Sequence, residues 1–160
     1  MATIYDAYER GKQSLENSDG FLEKMERLIR LGPMGAENDS VICRHKAWYY
    51  LRAGHLGQAE TAIKKSLELF PMDWHSWNEL SSVLRRQGKL DDAESTAKIA
   101  LQGKELRKEL VQLSNARSLS TSQLQRIGRY AEIVGDEKVF GGVTTRVNVL
   151  GQSPPGEDGG

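Results

Sequence analysis

Apolar side chains recur through the middle of the chain at helical spacing. Trp77, Leu80, Ser81 and Leu84 stand at i, i+3, i+4 and i+7, which makes one face of a helix over about Trp74 to Gln87. Ser81 is the small member of that face and marks where two helices come close. A second stripe, Ala93, Ala97, Ala100 and Leu101, predicts a partner helix over about Leu90 to Leu101, whose alanines permit a short interaxial distance. Gly88 sits between the two and suits a left-handed cap that reverses the chain. The same order of signals appears upstream. Ala47 and Tyr50 precede Gly54, then Ala59, Ser66 and Leu67 follow, and Pro71 ends the second helix after Phe70.

The two sets are in register at a lag of 34 residues: Gly54-His55-Leu56-Gly57-Gln58-Ala59 falls on Gly88-Lys89-Leu90-Asp91-Asp92-Ala93. That lag is the tetratricopeptide period. On these residues, 40–103 resembles two tetratricopeptide repeats, about 40–71 and 74–103. The first departs from the family pattern, with Cys43 for a large apolar residue and Lys46 for a core leucine. The resemblance implies an all-α fold, a right-handed α-solenoid of antiparallel helix pairs. It says little about function, because the family motif is a packing motif.

Two repeats alone leave apolar ends, and such arrays need about three units with atypical caps. Upstream, Ile4, Tyr8, Gly11 and Leu15 form one stripe and Leu22, Met25 and Ile29 another, so residues 3–32 read as a degenerate repeat. Downstream, Leu106, Leu110 and Leu113 predict a helix over about Lys104 to Asn115. Ser120 or Thr121 then caps another helix bearing Leu124, Ile127, Ala131 and Val134, which closes a repeat domain over 1–135 with capping helices in 104–134. Beyond Gly135 the pattern changes. Val143, Thr145, Val147 and Val149 alternate at period two, so the tail 136–160 is expected to be strand-like over 139–150, about Gly141-Gly142, and disordered after it.

Composition narrows the function classes. Lysine plus arginine equal aspartate plus glutamate at 22 each, which disfavours nucleic acid as a partner despite Arg117, Arg126 and Arg129. A lone Cys43 requires no oxidising compartment, and no leader or membrane-length apolar run is legible, so a cytoplasmic protein is expected. Asn38-Asp39-Ser40 reads as a helix cap. No phosphate loop exists, and Cys43, His45 and His75 lack zinc spacing, with Cys43 core-facing and the two histidines on the opposite face. Neither cofactor nor metal is expected, and no catalytic constellation points to an enzyme.

Resemblance to the family implies a concave face lined by the first helix of each pair. In the first unit that face would hold Arg44, His45, Trp48 and Arg52, along with Val41 and Leu51. In the second it would hold His75, Asn78, Ser82, Arg85 and Arg86. Arginines suit carboxylates, and an exposed Trp48 would serve as an aromatic anchor. The plainer reading makes Trp48 a core residue replacing the side chain missing at Lys46, and the arginines a response to helix C-terminal dipoles. Family members that clamp the carboxylate tail of heat-shock chaperones use lysines and asparagines. Arg44, Trp48 and Glu79 stand at the matching places, which argues against that clamp. The expected function is an adaptor, scaffold or small assembly chaperone holding a partner peptide or helix. The alternative is a structural subunit that self-associates or docks through its tail.

Overall fold

Helix ends need their free N–H and C=O groups satisfied. In the computed structural model, which describes residues 19–31, 36–113 and 119–152, the caps fall where the pattern puts them. Every α-helix among the described residues follows in order: α1 (Asp19–Arg30), α2 (Ser40–Arg52), α3 (Leu56–Leu69), α4 (Trp74–Arg86), α5 (Leu90–Leu110), α6 (Thr121–Val134) and α7 (Glu137–Gln152), with a 3-10 turn at Ala36–Asn38 before α2. No strand occurs among the described residues, and no described helix is long and apolar enough to cross a membrane. The stripe of Ile4, Tyr8, Gly11 and Leu15 lies outside the described residues, as does the segment after Gln152.

Asp39 caps α2, its carboxylate accepting from the N–H groups of Val41 at 2.9 Å and Ile42 at 3.0 Å. Ser120 and Gln123 close a capping box at the start of α6. The turns that join α2 to α3 and α4 to α5 match in their backbone bonds. Gly54 and Gly88 turn left-handed at φ 81 and 79, which only glycine does without strain. After each, the next residue donates back to the helix: His55 N–H to Tyr50 O at 2.8 Å, Lys89 N–H to Leu84 O at 3.0 Å. Ala59 and Ala93 then sit fully buried at equivalent turns.

Consecutive helices pack on one another, and α2 also touches α4. The core between them joins Ala47, Ile63, Leu67, Leu80, Leu84 and Ala93, with Trp77 against its edge. Leu51, Ala59 and Val83 form a second cluster at the turn end. Ser81 fills its close-approach position and donates to Ala93 O at 2.9 Å.

Three expectations change. The tail is not strand-like: residues 137–152 form α7. Val139, Val143 and Val147 share a helical stripe as well as a strand one, and a lone hairpin has no sheet to join whereas the stripe can pack on α6. Thr144 and Thr145 fit the helix by donating to Phe140 O and Gly141 O, each at 2.9 Å. Second, α5 runs unbroken through Gly103 to Leu110 instead of dividing near residue 102. Third, Leu101 points outward, 57% exposed, so Ala93 and Ala100 carry that contact with α4 and Leu101 does not.

Candidate protein-binding face

The side chains expected to line a concave face divide into two groups. On α2 the face is closed. His45 is 2% and Trp48 7% exposed, so His45 joins the interior and Trp48 takes the plainer of its two roles. The cause is the position of α2. Ile42, Cys43, His45, Ala47, Trp48, Tyr49 and Leu51 are buried all round it, between α3 and α4 with α1 also against it. Burial raises the Cys43 thiol above its ordinary value, which disfavours the thiolate, and its Sγ donates to Glu37 O at 3.4 Å.

Arg44 is engaged inside the protein. Its Nη1 lies 2.7 Å from Asp73 Oδ2, with the two side chains 15% and 13% exposed. Asp73 also caps α4, accepting from His75 N–H at 3.2 Å and Ser76 Oγ–H at 2.8 Å. Ser66 Oγ lies 2.9 Å from Ser76 Oγ and donates to Ser40 O at 2.7 Å. One polar network thus ties the start of α2, the end of α3 and the start of α4.

What stays open lies on α4 and at the C-terminal ends of α2 and α4. His75 is half-buried, its ring stacked 3.7 Å from that of Trp74. Asn78 and Arg85 are exposed and Ser82 is half-buried, its hydroxyl donating to Asn78 O at 3.1 Å. These positions share one helical face. Arg52 is exposed with its guanidinium 5.4 Å from the Trp48 ring centroid, and exposed Arg86 donates to Leu51 O. Arg52, Arg85 and Arg86 occupy last turns of their helices, where the dipole favours cations. Arginines therefore gather at one end of the strip, and polar uncharged groups continue it.

A second feature escaped the sequence. α5 overhangs the start of α4, and at Gly103 it meets Trp74 and Tyr130 so closely that a Cβ would collide with both. Tyr130 Oη and Trp74 Nε1 are buried there without an acceptor among the described residues. Burial, and then the charge of Asp73, push the Tyr130 hydroxyl up to about 12. Cavities of about 400 and 370 Å³ flank this junction, and Leu106 and Tyr130 line both. The available signal was a glycine inside a helical stripe, which marks close approach as readily as a break.

No protein-family model, no curated protein and no solved structure matches the chain.

Proposed function

We propose that the chain is a protein-binding module of the tetratricopeptide kind, a right-handed solenoid that holds a segment of a partner protein against α4. Asn78, Ser82 and Arg85 make the contacts, with Arg52 and Arg86 drawing acidic groups to one end. The observation that carries this is the pair of helix–turn–helix units matched cap for cap at Gly54 and Gly88, beside a polar, arginine-ended strip that the core does not use. The anchor role once open to Trp48 passes to the partner. The module acts by binding and not by catalysis.

Affinity capture from native lysate tests it, with wild type beside an Asn78→Arg/Arg85→Glu variant. A partner recovered by the wild type and lost by the variant, at unchanged helicity, is the expected result. Equal recovery by both moves the interface off α4.

A second reading, a subunit that self-associates, draws on α7. Its Phe140, Val149 and Leu150 are 40%, 60% and 42% exposed. Since the tail is helical, the contact would be helix to helix and not strand addition. Light scattering of the full chain beside a Phe140→Glu/Leu150→Glu variant separates the two: a dimer lost in the variant favours self-association, and a monomer in both favours the adaptor.

A further inference from the structure

The strip on α4 offers hydrogen bonds and charge, and an apolar anchor of a partner would need a hollow. The hollow lies beside it, under the overhang of α5. Phe70 and Met72 from the α3–α4 turn and Leu106, Leu110 and Val111 from the end of α5 wall a cavity of about 370 Å³. That is within the range of ligand-binding cavities, roughly 300 to 1,000 Å³. Two of its lining residues reach solvent, Phe70 at 49% and Val111 at 69% exposed. Large apolar side chains clustered round one opening mark a binding site more often than scattered ones do.

The charge around the opening is one-sided. Arg107 lines it, and Lys104, one turn earlier on α5, holds its ammonium 5.9 Å from the Trp74 ring centroid; both are exposed. Neither forms an ion pair among the described residues. The one acid in the wall is Asp73, already bonded to Arg44. Glu105 lines the other cavity, and Glu109 pairs with Arg126. An apolar hollow with two uncompensated cations on its rim is complementary to an apolar residue with carboxylates beside it.

We infer that this cavity receives a large apolar side chain of a partner polypeptide, flanked in that partner by aspartate or glutamate. It rests on the reading of the chain as a protein-binding module, and it adds a hollow for the partner's anchor next to the strip on α4.

The test is a titration of the isotope-labelled full chain by nuclear magnetic resonance with three peptides: acetyl-Asp-Phe-Asp-amide, acetyl-Lys-Phe-Lys-amide and acetyl-Asp-Ala-Asp-amide. The first is expected to give saturable shifts at the Trp74 indole and at the Arg107 and Val111 amides, and the other two are not. A Lys104→Glu/Arg107→Glu variant, altered only at exposed positions, should lose about tenfold in affinity for the acidic peptide and prefer the basic one. Equal response to the acidic and basic phenylalanine peptides, or no saturable response, overturns the inference. Shifts confined to Asn78, Ser82 and Arg85 also overturn it while leaving the α4 strip as the binding face.

Discussion

Gly103→Ala sets two magnitudes against each other. In a helix interior alanine is favoured over glycine by about 1 kcal/mol. At this position the added methyl would fall on Tyr130 Oη, 2.6 Å from its Cζ and 2.7 Å from Trp74 Cβ. The tyrosine tip could swing aside, but Trp74 Cβ is fixed to the α4 backbone, so the crossing of α4 and α5 must open. Overpacking of this kind costs about 1–3 kcal/mol, and three atoms in conflict put it at the upper end. The expected net loss is about 1–2 kcal/mol, roughly 2–8 °C in Tm for a chain of this size. Gly57→Ala in α3 is the control, since nothing lies within 4 Å of its would-be Cβ; it should gain up to about 1 kcal/mol. Tyr130→Phe removes only a buried hydroxyl without an acceptor and should leave stability unchanged or raise it by about 1 kcal/mol. Combined with Gly103→Ala it should recover less than half the loss, because the Trp74 contact stays. Thermal and urea unfolding read all four proteins. A Gly103→Ala protein more stable than wild type would refute the close crossing of α4, α5 and α6.

Other expectations follow from single features. Gly141→Ala/Gly142→Ala should deepen the helical circular dichroism signal and stabilise α7 by about 1 kcal/mol per site, both positions having open space; unchanged helicity would reject a helix there. Arg44→Met should cost about 2 kcal/mol by leaving the half-buried Asp73 carboxylate without its cation, so denaturant melts should show the loss; a loss below about 0.5 kcal/mol would mean the pair is not formed. Lys64 first, then Gln87 and Lys89, hold Glu60 down from its ordinary 4.5 to about 2. A depressed carboxylate stabilises the fold above its unfolded value and ceases to as pH falls from about 4.5 towards 2. Wild type should therefore lose about 1 kcal/mol more than Glu60→Gln across that window, the half-exposed lysines limiting the effect. Equal pH profiles would discount the cluster.

The starts of α2 to α5 and the turns between them were legible because their signals are local and redundant. A glycine cap, an alanine at the next turn and an apolar stripe all agree at Gly54 and again at Gly88, and Asp39 and Ser120 announce their helices by side-chain chemistry alone. The candidate face was legible only in part. Position on a helix fixes direction, so Asn78, Ser82 and Arg85 came out on one open side, but it does not reveal what else covers that side. Arg44, His45 and Trp48 were expected on the same side, but they stand on a helix that packs against α1, α3 and α4. The tail failed for a different reason: valines four apart satisfy period two and period 3.6 together, and only the neighbouring helix decides between them. Gly103 and Tyr130 meet across 27 positions of sequence, a distance no local pattern spans.

The network at Asp73 bears on how the chain comes apart. Coupling between adjacent helix pairs decides whether they melt together or one after another. Here much of the polar part of that coupling converges on one carboxylate, which starts α4 and grips α2 through Arg44, while Ser76 and Ser66 extend it to α3 and Ser40. The joint resembles a keystone: removing it takes the cap from α4 and also lets each pair answer more independently to heat and denaturant. That residue therefore bears on the cooperativity of the molecule as well as on the stability of α4.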